Sequence, residues 1–414
     1  MTKLDPIRET WMCAPETRAV MGALDAGHGA ARFVGGAVRN ALLGRQVEDI
    51  DIATTLRPDD VVRRLEAAGI KALPTGMAHG TVTAVFTGKT FEVTTLRRDV
   101  TTDGRHAAVA FSDDWKLDAQ RRDFTINALS ASPDGEVFDY TSGVEDLKAR
   151  RIRFIGDPVA RIREDYLRIL RLFRFHAWYG RGDIDTDALA AVRNERAGLR
   201  RLSGERVRNE FLRLLAADDP CPAVRAMAEA DIVREFLPGE ARLARLGHLV
   251  LIDTGNRFIG DPVLRLSALI AGDAAIATAV AQRLRLSNDN RNRIVDVASS
   301  ENEPAFPMDV RALRALLYRL GAQRVRDRIL LRWAGEPTDA HAVEWRALLA
   351  VVNVWMPPRF PLSGGDVITA KIPEGPRVGK VLGELENWWI ANDFAPDRAA
   401  LLERLNAIAP GHID

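Results

Sequence analysis

The chain has 414 residues, 47% hydrophobic and 28% charged, and its 58 lysines and arginines offset 57 aspartates and glutamates to a net charge of +1. That length supports two to four domains with buried cores, while the near-neutral balance excludes a globally basic nucleic-acid binder, so RNA contacts must come from local arginine clusters such as RRDFT, RIREDYLRILRLFRF and LRRLSGERVRNEF. Cys13 and Cys221 are too few and too far apart for a disulfide framework or zinc site, MTKLDPIRETWM is charged where a secretory leader is apolar, and no stretch reaches the ~18 apolar residues of a membrane span, so a cytoplasmic protein with no membrane segment and no evident protein partner is expected.

The most informative segment is residues 33–53, FVGGAVRNALLGRQVEDIDIA. Gly35 and Gly36 let the backbone approach phosphate oxygens, the helix that follows offers free N–H groups, and Arg39 supplies a forked donor. The alternation Asp49-Ile50-Asp51-Ile52 has period two, which predicts a strand with both carboxylates on one face, Cα atoms roughly 6.5 Å apart, and both isoleucines in the core. Such a pair can hold two hard cations over a triphosphate.

Further strand-like runs continue to about residue 140: GTVTAVFT, TFEVTTLR and EVFDYT. TVTAVF and TFEVTTL, separated by Gly88-Lys89, predict a β-hairpin. Between the strands, Pro58–Ala68 predicts a helix with Asp59 and Asp60 in its first turn. Glu92 is a third carboxylate candidate, since two-metal phosphoryl transfer often uses an extra acid. The stretch from Arg97 to Asp118, with Gly104 and many polar residues, predicts a mobile loop. In RRDFTINAL, two arginines can bind phosphate oxygens while the aspartate accepts from a ribose hydroxyl; taken as a helix start, the same string would make Asp123 an N-cap.

Beyond about residue 145 the period is helical, with Pro or Gly punctuation near 156–158, 220–222, 259–262, 303–307, 357–365 and 373–379. Asp157-Pro158 predicts a helix start, after which Ile162, Tyr166, Ile169, Leu170, Phe173 and Ala177 form one buried face. The charged side of this helix holds EDYLR, in which Glu164–Arg168 and Asp165–Arg168 could be simple surface ion pairs. Asp165 as acceptor and Arg168 as donor also match the Watson–Crick edges of cytosine and adenine, each an amine beside a ring nitrogen. Arg171 and Arg174 continue the basic stripe, Ser203 predicts an N-cap, and Trp333, Trp345, Trp355, Trp388 and Trp389 are expected in the core.

Taken together, GGAVRNALLG…DIDIAT, TFEVTTLR, RRDFTINA, EDYLR and LSGERVRNEFLRLL resemble the polymerase β-like nucleotidyltransferases, specifically the class II tRNA nucleotidyltransferase and bacterial poly(A) polymerase family. One departure stands at Asn40, where the family usually has aspartate. The resemblance implies an α+β nucleotidyltransferase head (residues 1–145), an all-α neck that recognises the base (146–220), a helical body (221–300) and a tail that binds tRNA (301–414). It implies Asp49, Asp51 and Glu92 in catalysis with Mg²⁺ on the two aspartates. Nucleotide binding falls to Gly35, Gly36, Arg39, Arg122, Asp123, Asp165, Arg168, Arg171 and Arg174. The expected reaction is template-independent addition of C, C and A to the 3′ end of tRNA from CTP and ATP. The alternatives are AMP addition to RNA 3′ ends, and a catalytically silent RNA-binding relative.

Overall fold

The structure, a computed structural model, describes residues 2–103, 106–270, 272–299, 308–336 and 338–409. The chain divides into two compact units, Met1–Leu237 and Pro238–Asp414. The Gly/Pro punctuation at 303–307 lies outside the described residues, as does Gly104.

The first unit is built on a seven-stranded mixed sheet. Its strands are β1 (Ala31–Val34), β2 (Asp51–Thr54), β3 (Lys71–Gly76), β4 (Thr81–Phe86), β5 (Lys89–Thr95), β8 (Ser130–Ala131) and β9 (Val137–Phe138), while β6 (Arg97–Asp103) and β7 (His106–Phe111) pair apart from it. The order is β3-β4-β5-β2-β1-β8-β9. β2 runs parallel to β5, and the other neighbours are antiparallel. Phe33, Ile52 and Val93 are fully buried on one face, and their alternating neighbours Asp51 and Glu92 therefore stand on the other.

The predicted hairpin is present as β4–β5. Its turn is Thr87-Gly88, at φ 46° and 81°, one residue earlier than Gly88-Lys89 because Lys89 already pairs with Phe86. Two successive positive φ values match the right-handed strand twist. The loop expected over Arg97–Asp118 is instead the β6–β7 pair followed by the helix Trp115–Gln120. Val100, Thr101, Thr102 and Val109 carry strand propensity that a count of polar residues overlooks.

The all-α part of this unit differs from expectation at one decisive point. The single helix predicted from Asp157 is two, Pro158–Glu164 and Leu167–Tyr179, with Asp165 extended between them at φ −155°, ψ 105°. Asp157 caps the first by accepting from Ala160 N at 2.9 Å. The apolar spacing survives the break, since Ile162, Ile169, Leu170 and Phe173 are all buried. At the break, the Tyr166 ring occupies the place where a side chain at Gly198 would stand; a Cβ there would lie 1.9 Å from a ring carbon. Ser203 is the expected N-cap, on the helix Gly204–Leu215.

The second unit is helical and holds two cores. One gathers Leu249, Leu264, Leu317, Ile329, Trp333 and Trp345, with Trp355 against it; the other gathers Leu362, Val367, Val381, Leu385, Trp389 and Leu401, with Trp388 against it. The five tryptophans thus pack in or against cores as expected.

Gly198→Ala should push the Tyr166 ring aside and cost about 1–3 kcal/mol as an overpacked site. The melting temperature should fall, because the displaced ring packs beside the break at Asp165. An unchanged Tm would mean that the ring does not hold this break.

Candidate active site

Asp51 opens β2 in register with Glu92 of β5, so the two carboxylates share a face. Asp49 lies outside the strand and is exposed, and Ile50 is only half-buried. The predicted strand over Asp49–Ile52 is thereby shortened. The register Phe33↔Ile52 places Asp51 beside the end of β1, where the chain turns at Gly35 into a helix and leaves Ile50 and Asp49 no partner on that side. Burial pushes the Asp51 carboxyl up, Glu92 and Asp49 push it further, and Arg122 pulls it back. The three acids therefore act within one electrostatic field. Among the described residues no three His, Cys, Asp or Glu side chains are close enough to cage a metal ion. Hard carboxylate oxygens of this kind suit a magnesium- or manganese-type cation whose shell is completed by substrate phosphates and water.

Beside Asp51 opens a cleft of about 450 Å³, and Gly35, Gly36, Arg39, Arg122, Asp123, Asp165, Arg168 and Arg171 all line it. Asp49, Glu92 and Arg174 do not. Gly35 sits at φ 64°, ψ −121°, a conformation that glycine alone adopts without strain, and this turn presents Gly36 to the cleft. The helix Gly36–Leu42 has only seven residues, so attraction for phosphate rests on its first N–H groups more than on a long dipole.

Arg39 is buried and spends most of its donors within the protein. It gives hydrogen bonds to Asn127 Oδ1 (2.5 Å), Tyr179 Oη (2.8 Å) and Asn40 Oδ1 (3.0 and 3.2 Å). Asn40 is explained by these bonds: its amide oxygen accepts from the arginine, and a carboxylate is not required. Arg122 is braced on Asp118 Oδ2 at 3.2 and 3.3 Å. Burial pushes the Asp118 carboxyl up, but Arg122 and Arg121 more than reverse this and hold it below the usual carboxylate range.

Asp123 does not cap a helix; a 3₁₀ turn, Thr125–Asn127, and β8 follow it. Its Oδ1 accepts from Phe124 N (2.8 Å) and Asn127 Nδ2 (3.1 Å), and its Oδ2 accepts from Arg171 (2.7 and 2.5 Å). Burial alone would raise this carboxyl, yet Arg171 and Asn127 hold it low.

Asp165 and Arg168 reach the cleft from separate ion pairs. Arg168 Nη1 lies 2.5 Å from Glu164 Oε2 and donates to Arg161 O at 3.0 Å, while Asp165 Oδ1 accepts from Leu167 N (3.1 Å) and its Oδ2 from Arg206 Nη2 (2.7 Å). The anticipated Glu164–Arg168 pair is present; Asp165 turns to Arg206 because the helix break carries it off the shared face. Arg174 is withdrawn from the cleft, lying 2.7 Å from Glu210 Oε2 and over the Phe175 ring. Arg121 also lines the cleft, as do Asn127, Phe175 and Arg206, which residue type and spacing do not mark. Arg121 stood in the RRDFT string and Arg206 in LSGERVRNEF; only the fold shows which of those arginines turn inward.

Residues 31–153 match the family described as Poly A polymerase head domain, and residues 183–243 match Probable RNA and SrmB-binding site of polymerase A. A mouse protein, CCA tRNA nucleotidyltransferase 1, mitochondrial, is 35% identical across 90% of this chain and 85% of its own length. The chain belongs to the CCA tRNA nucleotidyltransferase family. Another member, the CCA-adding enzyme of Streptococcus sanguinis, is 30% identical over 86% of this chain and 88% of its own. The Bacillus stearothermophilus CCA-adding enzyme, solved in complex with CTP, superposes with a TM-score of 0.71 at 26% identity, covering 96% of this chain and 99% of that one. The Thermotoga maritima CCA-adding enzyme, solved with tRNA, shares the fold at 21% identity and a TM-score of 0.66, covering 98% of each chain. The chain is thus a nucleotidyltransferase of a family whose chemistry uses a divalent metal.

A carboxyl raised in the folded state opposes folding when ionised, so the Asp51 site should cost stability at neutral pH and recover it as pH falls through its folded pKa. Glu92→Gln should therefore raise Tm at pH 7 and move the acid limb of the activity profile to lower pH. Divalent ions should raise the wild-type Tm more than that of Asp51→Asn. Identical metal-induced shifts in the two proteins would exclude Asp51 as a ligand.

Proposed function

We propose that the protein adds C, C and A to the 3′ end of tRNA from CTP and ATP, releasing pyrophosphate. The observation that carries this is the single cleft in which Asp51, Arg122, Asp123, Asp165 and Arg168 meet. Asp49 and Asp51 would hold the divalent ions, Mg²⁺ in our reading, with Glu92 supporting Asp51. When bound, these ions lower the pKa of the attacking 3′-hydroxyl and neutralise the leaving phosphates.

The chain's own residues do the positioning. Gly35 and Gly36 bring backbone N–H groups to the triphosphate, Arg39 braces that turn from below, and Arg122, held by Asp118, offers its fork to phosphate oxygens. Asp123 would take the ribose hydroxyl by sharing an oxygen with Arg171. Arg174 acts at one remove, through Glu210. Asp165 accepts from the exocyclic amine of cytosine or adenine and Arg168 donates to the ring acceptor, a pattern that uracil and guanine invert. We assign residues 1–145 to the catalytic head, 146–220 to a base-reading neck, and 221–300 and 301–414 to a body and a tRNA-binding tail. Among the described residues no helix is long and apolar enough to cross a membrane. The two free cysteines suit the cytoplasm, where we place the protein.

With a tRNA transcript lacking its last three nucleotides, the wild type should add C, C, then A and stop. Asp51→Asn should reduce incorporation to background while leaving tRNA binding intact. Asp165→Ala or Arg168→Ala should weaken discrimination against UTP and GTP by about 1–3 kcal/mol, the worth of a bidentate base contact, whereas Arg122→Ala should weaken all four nucleotides alike. A processive A ladder from ATP alone, on tRNA and unstructured RNA equally, would overturn CCA addition in favour of poly(A) synthesis.

A further inference from the structure

The face of the sheet that carries Asp51 and Glu92 continues beyond them. β1 runs antiparallel to β2 with Arg32 opposite Ala53, so Arg32 and Val34 stand on the side of Ala53 and Asp51. Ser130 pairs with both Val34 and Phe138, which brings Phe138 to the same side. Trp115, which opens the helix Trp115–Gln120, packs over Val34, Ala53 and Leu96 on that face. Between the two aromatic side chains lies Arg32. Its guanidinium is 3.6 Å from the Phe138 ring centroid and 4.2 Å from that of Trp115, and it donates to Tyr140 Oη at 3.2 Å.

This cluster has the chemistry of a single-strand seat. No carboxylate among the described residues pairs with Arg32; two rings hold it on the face that also carries Asp51 and Glu92, where a phosphate is the natural counter-charge. Tyr140, whose hydroxyl accepts from Arg32, is 37% exposed, an aromatic residue open to solvent beside the cluster. Exposed rings beside an arginine are the means by which single-stranded RNA is held, since every base has a face to stack.

The position also fits the reaction. The nucleotide cleft begins at Gly35, three residues along β1 from Arg32, about 10 Å at strand spacing. In-line attack requires the RNA 3′-hydroxyl to approach from the side opposite the leaving pyrophosphate. The Arg32 cluster shares the face of Asp51, two residues along the strands from it, and its rings lie outside the lining of the arginine-rich cleft.

We propose that Arg32, Trp115, Phe138 and Tyr140 seat the 3′ end of the RNA being extended. Tyr140 stacks on a base next to the reacting nucleotide, and Arg32 pairs with the adjoining phosphate. The proposal rests on the nucleotidyl transfer proposed above and names where the second substrate lies.

The test uses the full chain and two readouts. Binding of a fluorescent single-stranded RNA ending in CC is followed without nucleotide, and KM is measured separately for CTP and for tRNA lacking CCA. Tyr140→Ala should raise both the RNA Kd and the KM for tRNA about tenfold, the size of one lost base stack. The KM for CTP should not move, and Tyr140→Phe should restore RNA binding. Arg32→Gln should flatten the dependence of log Kd on log salt by about 0.7, one phosphate contact on a single strand. Because Arg32 is itself part of the stack, its variant is compared at matched Tm, and the exposed Tyr140 decides. If Tyr140→Ala binds and extends RNA as the wild type does, the cluster is packing only and the proposal falls. A wild type that fails to add CCA yet loses RNA binding with Tyr140 would overturn the proposed activity and leave this seat standing.

Discussion

The ion pair between Asp123 and Arg171 is the constraint on which the cleft depends. Asp123 belongs to the segment that follows the head's first strands, and Arg171 to the helix Leu167–Tyr179, 48 residues later. Their contact at 2.7 Å ties the segment that carries Arg122 and Asp123 to the helix that carries Arg168. The connection extends further, because Arg171 also faces Glu210 at 3.7 Å and Glu210 faces Arg174 at 2.7 Å. Breaking such a partly buried pair by removing one partner leaves an uncompensated charge, a loss of about 3–5 kcal/mol when burial is complete. Phe124 reinforces the junction, with its ring 4.7 Å from Phe154 and 5.4 Å from Phe175. Charge pairing fixes the register of the two halves while aromatic packing excludes water from it.

Around that junction the site separates charge by sign. Glu92 and Asp49 add to the cost of ionising Asp51, a cost that a bound cation would relieve. A few residues away, Arg122, Arg168 and Arg171 are each held by an acid, Asp118, Glu164 and Asp123 respectively. Asp118 and Glu164 do so from outside the cleft lining and Asp123 from within it, so the donors are oriented in advance. An arginine that enters the cleft already paired loses less side-chain freedom on binding.

The motifs were legible because their chemistry is local. Gly35-Gly36, Asp51 and RRDFT announce themselves through residue type and spacing, and the structure brings all of them to one cleft. The failures share a cause. The period-two pattern around Asp49 could not show that β1 ends before Asp49 and Ile50 find a partner. The helical spacing from Ile162 to Phe173 continues through the break at Asp165, since a short extended step there keeps the apolar side chains on one side. The threonines near residue 100 are polar, which suits a loop, but their β-branching favours the strand they form.

The sequence by itself determined the local motifs of the site, the α+β head followed by helices, and the family, because glycine turns, acid pairs and arginine strings are properties of neighbouring residues. Tertiary structure alone decided which arginine serves which acid. Arg206 holds Asp165 across 41 positions and Arg171 holds Asp123 across 48, while Arg174, three residues from Arg171, is drawn away to Glu210. Each arginine is chemically able to take any of these partners. What selects one is the direction in which a helix face points once its apolar side is buried, and that direction is set only when the chain has packed.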